Sequence, residues 1–357
     1  MKTLSIMQPA NIGLGLHQSR QPIASHNPPM MPLIDNFQRR LTYLRLSVTD
    51  FCNFRCDYCL PNGYLAHGKK RPNNELTLDE MAVLFDGFSA LGTKKIRLTG
   101  GEPSIRRDLA DIIALARQYP TLNTVAVSSN GYKLAKHLSA WQTAGLSQLN
   151  VSIDSFDADV FRQIPGFDML PTLLKDLDTL LETTDIRLKL NGILKADTAF
   201  DNLQHALAYV KDRPVTYRFI EFMQTSDNRE LFFAQHASGQ IIQRYLLDHG
   251  WIMTPKADDA GPAIEYHHAD YMGKIGIIEP YAPQFCNSCN RLRVSSLGKV
   301  HLCLFDQANY DIRQFLTAGD VHGLIATLQR LMPIKPEHHH LLDNNSGIMQ
   351  NLSMVGG

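Results

Sequence analysis

The sequence predicts an α/β fold, and three observations support that prediction. From residue 43 to about residue 224, six short apolar runs alternate with longer amphipathic segments. Parallel strands need crossover helices between them, so this alternation implies βαβ units in an open sheet or a partial barrel. Within the short runs, apolar and polar residues alternate as they do in strands. Beyond residue 224 the rhythm changes, which predicts a smaller region of mixed helices and strands.

The predicted elements follow one another in a regular order. Strands are expected at 43–48, 95–99, 124–128, 148–153, 186–191 and 216–223. Crossover helices are expected near 78–91, 107–118, 132–144, 169–183 and 199–211. The first helix has a clear start, because Thr77 is followed three residues later by Glu80 in a capping-box pattern. After residue 224, helices are expected near 237–249 and 320–331, and strands near 263–267 and 274–279.

One face of the predicted strands is polar and carries several cations. The apolar face must pack on the crossover helices, so the polar face is expected to line the inside. Because burying unpaired cations is costly, the interior should be hydrated and should receive an anion. Alternatively, the charges lie at strand ends and pair with nearby carboxylates. The polar face contains Tyr43, Arg45, Ser47, Lys95, Arg97, Thr99, Asn150, Ser152, Asp154, Arg187, Lys189 and Asn191.

Length and charge exclude several classes of protein. A chain of 357 residues suggests two domains, or one barrel with an extension. Lys and Arg total 35, as do Asp and Glu, so a broadly basic nucleic-acid surface is not expected. No run approaches the ~20 apolar residues of a membrane span. Residues 1–34 contain no acidic residue and five prolines, and they predict a flexible arm with weak transit-peptide character. A cytoplasmic location is expected.

The cysteines fall into two groups of three, which indicates metal ligation. The chain is large and has no secretory signal, so thiolate ligands are favoured over disulfides. Three close thiolates can hold three corners of a four-iron cluster and leave the fourth iron open. For the second group the spacing leaves iron–sulfur and zinc equally open, with His301 as a candidate fourth zinc ligand. The groups are Cys52, Cys56 and Cys59, then Cys286, Cys289 and Cys303.

Two motifs lie at the ends of the first two predicted strands. Tyr58 precedes the last cysteine of the Cys52-x3-Cys56-x2-Cys59 motif, and the second strand ends in Thr99-Gly-Gly-Glu-Pro103. Together they resemble the radical S-adenosylmethionine (SAM) superfamily. Within it, further segments resemble the GTP 3′,8-cyclase family of molybdenum cofactor biosynthesis. These segments are Leu44–Cys52, Ile96–Pro103, Ser128–Gly131, Val151–Ser155, Phe285–Arg293 and the final Gly356-Gly357.

The resemblance covers about residues 37–357 and implies a more specific architecture. It implies an incomplete six-unit (β/α) barrel of the TIM type, which a C-terminal α+β iron–sulfur region closes. The implied division is an N-terminal arm over 1–34, a radical SAM partial barrel over 35–224, and an auxiliary-cluster region over 225–357. That last region would end in the double-glycine tail.

The resemblance also implies ligands and roles. The first cysteine group would hold a [4Fe-4S] cluster whose open iron chelates SAM. The second group would hold another [4Fe-4S] cluster that meets the guanine base. Ser128 stands at a GTP-contact position that is a threonine in some relatives, and both residue types provide a hydroxyl group there. The implied SAM contacts are Tyr58, Gly101, Ser152 and Met223. The implied GTP contacts are Arg45, Arg97, Ser128, Lys189, Arg291 and Arg293, with Arg45, Arg291 and Arg293 also assigned to catalysis.

The implied reaction is a radical cyclisation. A 5′-deoxyadenosyl radical from SAM would take the ribose 3′ hydrogen of GTP, and the product would be 3′,8-cyclo-7,8-dihydro-GTP. Implied partners are an electron donor such as flavodoxin or ferredoxin and a cyclic pyranopterin monophosphate synthase that uses the product. The chain would be a monomer or homodimer, with no nucleic-acid or membrane partner. Alternatives are a peptide-modifying radical SAM enzyme, a zinc-bound regulatory or nucleic-acid module, and a degenerate scaffold.

Overall fold

The computed structural model describes residues 32–60, 63–64, 74–163, 168–256, 260–306, 308–348 and 352. Nearly all of the predicted N-terminal arm and the whole double-glycine tail therefore lie outside the described residues. Within the described part, no helix is both long enough and apolar enough to span a bilayer.

Strands and helices alternate through the first half of the chain as predicted. The strands are β1 (Tyr43–Thr49), β2 (Lys95–Gly100), β3 (Thr124–Ser129), β4 (Gln148–Ser152), β5 (Arg187–Leu194), β6 (Thr216–Glu221), β7 (Ile252–Met253), β8 (Ile264–His267), β9 (Lys274–Ile278), β10 (Arg291–Val294), β11 (Lys299–His301) and β12 (Tyr310–Asp311). The helices are α1 (Leu78–Ala90), α2 (Leu109–Arg117), α3 (Leu134–Thr143), α4 (Ala158–Gln163), α5 (Leu170–Thr183), α6 (Ala199–Lys211), α7 (Arg229–Gln235), α8 (Gln240–Asp248), α9 (Arg313–Ala318) and α10 (Val321–Leu331).

All of these strands belong to one sheet with a parallel centre. The order across the sheet is β12-β11-β10-β1-β2-β3-β4-β5-β6-β9-β8-β7. Strands β1 to β6 lie side by side in sequence order and pair in parallel, and β10 and β9 extend this run at its two sides. The outer strands pair antiparallel. Because eight strands run in one direction, their carboxyl ends meet at one edge, where ligand sites form in α/β proteins.

The prediction of six strands and five crossover helices is confirmed, with boundaries that differ by up to three residues. The sequence did not predict α4, α7, α9 or the short strands β7 and β10 to β12. Strand β10 matters most for the site, because it follows Cys286 and Cys289 of the second cysteine group and lies parallel beside β1. In register, it places Arg291 opposite Tyr43 and Arg293 opposite Arg45.

The core lies between the outer face of the sheet and the helices. Leu44, Leu46 and Val48 of β1, all at most 1% exposed, belong to this core together with the apolar positions of the other strands. Each such side chain stabilises the fold by about 1.5–3 kcal/mol relative to exposure. Packing thus fixes the outer face and leaves the polar residues on the inner face.

The start of α1 shows how local sequence fixes a boundary and a tertiary contact together. Thr77 Oγ1 accepts a hydrogen bond from the Glu80 N–H at 3.2 Å, and Glu80 Oε2 accepts one from the Thr77 N–H at 2.9 Å. The predicted capping box is therefore confirmed. Arg313 of α9 donates from Nε to Glu80 Oε1 at 3.0 Å, so the same carboxylate joins α9 to α1.

Candidate active site

A cavity of about 480 Å³ lies against the inner face of the strands. We call it the lumen. Residues from all six strands β1 to β6 line it, which confirms the prediction that the polar face points inward. The lining residues from these strands include Tyr43, Arg45, Lys95, Arg97, Thr124, Ser128, Gln148, Asn150, Arg187, Lys189, Asn191 and Arg218.

Buried cations give the lumen its electrostatic character. Burial and the neighbouring Arg97 lower the pKa of Arg218 to about 9. Burial likewise lowers the pKa of Lys95 to about 8 and that of Arg45 to about 10, and Arg97 adds to both effects. The Nε of Arg218 has no hydrogen-bond partner within the described part of the chain. Confining several cations in one place costs free energy, and an anion in the lumen would offset that cost.

Arg97 is held by the strands on either side of it. Its Nε donates to the hydroxyl of Tyr43 on β1, and its Nη1 donates to Ser128 Oγ on β3 at 3.0 Å. Arg97 is 3% exposed, yet the structure places no carboxylate within 4 Å of it among the described residues. Its guanidinium is therefore oriented by neutral partners, and its remaining donors are available to a ligand.

Lys189 pairs with a carboxylate, as the alternative raised from the sequence proposed, although it lies within β5 and its partner is distant in the chain. Its Nζ lies 2.6 Å from Oε1 of Glu265 on β8. Burial opposes ionisation of Glu265, but Lys189 outweighs it and lowers the pKa of that carboxyl. Glu265 also lines the lumen, so a ligand phosphate that approaches Lys189 would meet an anion beside it.

The second cysteine group lies in the wall of the lumen. Cys286, Cys289 and Cys303 line it together with Arg291 and Arg293 of β10. All three are free thiols. His301, the candidate zinc ligand, lies in β11 opposite Arg293 and is not one of the residues that line the lumen.

Two buried cations hold the backbone around the second cysteine group. Arg39 donates from Nη1 to the carbonyl oxygen of Cys286 at 3.1 Å, and Lys335 donates to the carbonyl oxygen of Leu302. Although burial raises the pKa of Cys289, Arg291 and Lys335 outweigh it and lower that pKa to about 6. This environment favours a negatively charged sulfur.

The first cysteine group lines a second, smaller cavity of about 160 Å³. The turn from Cys56 to Cys59 is held by the Cys59 N–H, which donates to the Cys56 carbonyl at 3.1 Å. Burial raises the pKa of all three thiols. The four positions that the resemblance assigns to SAM, which are Tyr58, Gly101, Ser152 and Met223, also line this cavity.

The two cavities meet at four residues that line both of them. These residues are Ser128, Asn191, Ile220 and Met223. The structure therefore brings every predicted site residue to one of two adjoining cavities, and the two cysteine groups lie in different ones. The assigned chemical roles themselves stay predictions.

The two glycines at the end of β2 allow the backbone to pack against the first cysteine loop. A Cβ on Gly101 would lie 2.2 Å from the carbonyl oxygen of Phe51, next to Cys52. Gly100 has a φ of +138°, and a Cβ there would lie 2.0 Å from the carbonyl oxygen of Thr49. The Gly101 and Glu102 N–H groups donate to Thr49 and Phe51 carbonyls at 2.8 Å. Side chains at 100 or 101 would push the cysteine loop away.

Two carboxylates around the smaller cavity, the buried Glu102 and the partly buried Asp154, had no predicted role. Glu102 accepts hydrogen bonds from Ser129 Oγ at 2.8 Å and from the Asn130 N–H at 2.7 Å, so it joins the ends of β2 and β3. Asp154 accepts one from the Tyr58 hydroxyl at 2.8 Å and fixes that ring. Burial raises the pKa of both carboxyls.

Among the described residues, no three His, Cys, Asp or Glu side chains form a group that could hold one metal ion. In a four-iron cluster each thiolate binds a different iron atom, so the sulfurs need not converge on a single position. The donor set, which consists of free thiols around a cavity, is the set that such clusters use.

Comparison with known proteins agrees with this geometry. Residues 46–217 match the Radical SAM superfamily, and residues 215–341 match Molybdenum Cofactor Synthesis C. A GTP 3′,8-cyclase of Yersinia pestis is 46% identical over 329 residues, which are 92% of this chain and 100% of that protein. The GTP 3′,8-cyclase of Pectobacterium atrosepticum is 46% identical over 327 residues, or 91% of this chain and 99% of that protein.

The chain belongs to the GTP 3′,8-cyclase family. It combines the radical SAM region of that family with the molybdenum cofactor synthesis region that follows it.

Solved structures support the fold of this cyclase-family chain. Streptococcus suis SuiB bound to S-adenosylmethionine superposes with a TM-score of 0.57 at 10% identity, covering 82% of this chain and 68% of SuiB. SuiB bound to its precursor peptide SuiA gives a TM-score of 0.56. At this identity the likeness shows the fold alone, so it gives no support to the peptide-modifying alternative.

Arg218 and Lys95 also line the lumen, but neither was among the predicted GTP contacts. For Arg218 a signal was present, because in β6 the residues Thr216 and Arg218 alternate with the buried Tyr217 and Phe219. Extending the strand-face argument to β6 would have placed Arg218 in the cyclase lumen. Lys95 was assigned to the polar face but not to the substrate.

Proposed function

We propose that this chain catalyses the reaction that gives its family its name, the conversion of GTP to 3′,8-cyclo-7,8-dihydro-GTP. The observation that carries the proposal is the meeting of two cysteine-lined cavities, one of which is strongly cationic. A cationic lumen suits a triphosphate, and a neighbouring cysteine site suits a radical source. The two must adjoin if a radical from one cavity is to reach a ribose in the other.

In this proposal the smaller cavity holds the first [4Fe-4S] cluster and SAM. Cys52, Cys56 and Cys59 would bind the cluster. The backbone at Gly101 would lie against the methionine end of SAM, because no side chain blocks it there. When bound, the cluster and SAM supply the radical that removes the 3′ hydrogen of GTP and so allows that carbon to bond to C8 of guanine.

The lumen would hold GTP, with its triphosphate against the strand cations. Arg45, Arg97 and Lys189 face this space, as the resemblance implies, and Arg218 adds a further buried guanidinium. Guanidinium groups match phosphate oxygens in two-point contacts. Ser128 lies where the cavities meet and also orients Arg97, so it would lie near the ribose side of the substrate. Arg291 and Arg293 would act from β10, the strand beside Arg45.

The second [4Fe-4S] cluster would be bound by Cys286, Cys289 and Cys303. Thiolate ligands make such a cluster negatively charged, and the buried cations Arg39 and Lys335 around this loop favour that charge. Anaerobically reconstituted protein should contain about eight irons, and Cys286→Ser about four. A preparation in which the second site instead holds zinc, with cyclase activity intact in Cys286→Ser, would contradict this assignment.

The finer architecture is also part of the proposal. We infer that β1 to β6 curl into an incomplete six-unit (β/α) barrel and that β10 and the second cysteine loop close one side. Side chains from β1 and from β6 line the same cavity, which a flat sheet six strands wide would not allow. The proposed division at about residue 224 would then separate two functions and not two independent folding units, since β9 and β10 continue the same sheet.

The proposed partners are those that the family resemblance implies. An electron donor such as flavodoxin or ferredoxin would reduce the clusters, and a cyclic pyranopterin monophosphate synthase would use the product. These remain predictions, as does the choice between monomer and homodimer.

Lys189→Ala should weaken GTP binding by about tenfold and leave SAM binding unchanged. The substitution removes a phosphate partner and leaves the Glu265 carboxylate facing the triphosphate. Titration calorimetry with each ligand measures both affinities. The double variant Lys189→Ala/Glu265→Gln should regain part of the GTP affinity, because it also removes the repelling charge. Equal weakening of both ligands by Lys189→Ala would argue against a role in phosphate binding.

The function is tested by anaerobic incubation with GTP, SAM and a reductant. The cyclic product is an isomer of GTP, because the hydrogen lost from the ribose is replaced by an electron and a proton. Chromatographic separation before mass analysis is therefore needed. We expect a new GTP isomer together with methionine and 5′-deoxyadenosine. If SAM is cleaved but GTP stays unchanged, the chain is a radical SAM enzyme with a different substrate.

A further inference from the structure

Tyr43, on the inner face of β1, has no role in the proposed reaction. It lines the lumen and is 3% exposed. Its hydroxyl oxygen accepts a hydrogen bond from Arg97 Nε, and the Nζ of Lys95 lies 5.1 Å from the centre of its ring. Tyr43 therefore contacts two of the lumen cations, Arg97 and Lys95, at the same time.

The charged groups that face Tyr43 from each neighbouring strand are cations. Arg45 lies on its own strand and Lys95 and Arg97 lie on β2. Arg291 lies directly opposite it on β10, and Arg218 acts from β6 across the lumen. Burial alone would raise the pKa of Tyr43, but Arg97, Arg45 and Lys95 outweigh it and lower the pKa to about 7. A buried phenol in this position is stabilised as an anion.

We propose that Tyr43 is a positioning residue whose oxygen holds the Arg97 guanidinium in place for GTP, and which offsets the charge of the lumen cations until the triphosphate does so. The inference rests on the proposed function, since it takes GTP to bind in this lumen. Tyr43 thereby keeps Arg97 in place while the site is empty.

The hydrogen bonds of Arg97 show how the positioning works. Tyr43 on one side and Ser128 on the other each take one N–H of the guanidinium, and both partners are fixed to strands. These two contacts set the plane of the fork and leave its other donors for phosphate oxygens. Without the Tyr43 contact, Arg97 keeps one partner and must be oriented again when GTP binds, which lowers affinity.

Binding of the triphosphate beside Tyr43 should also change the protonation of the Tyr43 phenol. When the triphosphate neutralises the surrounding cations, the phenolate loses its stabilisation and the pKa of Tyr43 rises toward its ordinary value. Slightly above neutral pH, GTP binding should therefore make Tyr43 take up a fraction of a proton. A tyrosine that served only as packing would bind no proton.

The test compares Tyr43→Phe with the unmodified holoenzyme by titration calorimetry with GTP in two buffers of different ionisation heat. We expect Tyr43→Phe to weaken GTP binding about tenfold, to leave SAM binding unchanged, and to lose the proton uptake relative to the unmodified enzyme. Tyr217→Phe is the matched control, because that buried hydroxyl donates to the Ile153 carbonyl at 2.9 Å and does not line the lumen. It should leave GTP affinity and proton uptake unchanged.

A second measurement does not depend on a variant. In holoenzyme labelled with ¹³C at Cζ of tyrosine, one of the 12 tyrosine signals should be partly ionised near neutral pH and should shift to the neutral position when GTP is added. If GTP binds but neither affinity nor proton uptake differs in Tyr43→Phe, or if all tyrosine signals stay neutral, the inference is wrong. If the unmodified holoenzyme does not bind GTP at all, the proposed function fails instead.

Discussion

Cys56→Ser is expected to abolish cleavage of SAM and, with it, formation of the cyclic nucleotide. Cys56 lines the smaller cavity together with the other two thiols of its group, and a serine oxygen is a poor replacement for a thiolate on iron. The loss should be complete within detection, because no described thiol outside this group lines the cavity and could take the place of Cys56. Chromatographic measurement of methionine and 5′-deoxyadenosine after anaerobic incubation tests it.

A matched control for Cys56→Ser lies next to it in the chain. The exposed Asp57 pairs with the partly buried Lys195 at 2.8 Å, so Asp57→Asn removes a charge from the same loop without removing a thiol. Surface pairs contribute only about 0–1 kcal/mol, so this variant should keep its clusters and most of its turnover. SAM cleavage that survives in Cys56→Ser, or an equal loss in Asp57→Asn, would contradict the assigned role of the first cysteine group.

Gly101→Ala should reduce SAM-dependent turnover by about a hundredfold, since a displacement of ~1 Å at a reacting site has effects of that size. The added Cβ would lie 2.2 Å from the Phe51 carbonyl oxygen, and this backbone atom cannot move without moving the loop that carries Cys52. The same change should weaken SAM binding, which titration calorimetry measures.

GTP affinity is the internal control for Gly101→Ala. Gly101 lines the smaller cavity and not the lumen, so binding of GTP should stay within about twofold of the unmodified protein. Thermal unfolding and iron content show whether the variant still folds and holds its clusters. Unchanged SAM affinity in a folded, cluster-containing Gly101→Ala protein would show that the glycine backbone does not contact the cofactor.

The sequence predicted the parts of the fold that depend on local pattern. Alternation with a period of two places Arg45 and Arg97 on one face of their strands, and packing of the other face on helices then fixes the direction inward. The structure confirms both steps for β1, β2, β4 and β5. The same reasoning extends to Arg218 in β6 and would have added it to the site.

Contacts between distant segments could not be predicted in this way. The four residues of β10 contain no periodic signal long enough to identify a strand, and their register beside β1 is set by tertiary packing. The partner of Lys189 is 76 residues away on β8, so the sequence could raise the pairing with a carboxylate only as an alternative. The hydrogen bond from Arg97 to Tyr43 likewise depends on the pairing of β1 with β2.

The most direct test of the proposed function uses GTP that carries deuterium at the ribose 3′ carbon. If the two cavities adjoin as the shared lining of Ser128, Asn191, Ile220 and Met223 indicates, the radical formed beside the first cysteine group removes that deuterium. We expect 5′-deoxyadenosine that is one mass unit heavier and a cyclic nucleotide that lacks the label. Unlabelled 5′-deoxyadenosine, with the deuterium retained in GTP, would contradict it.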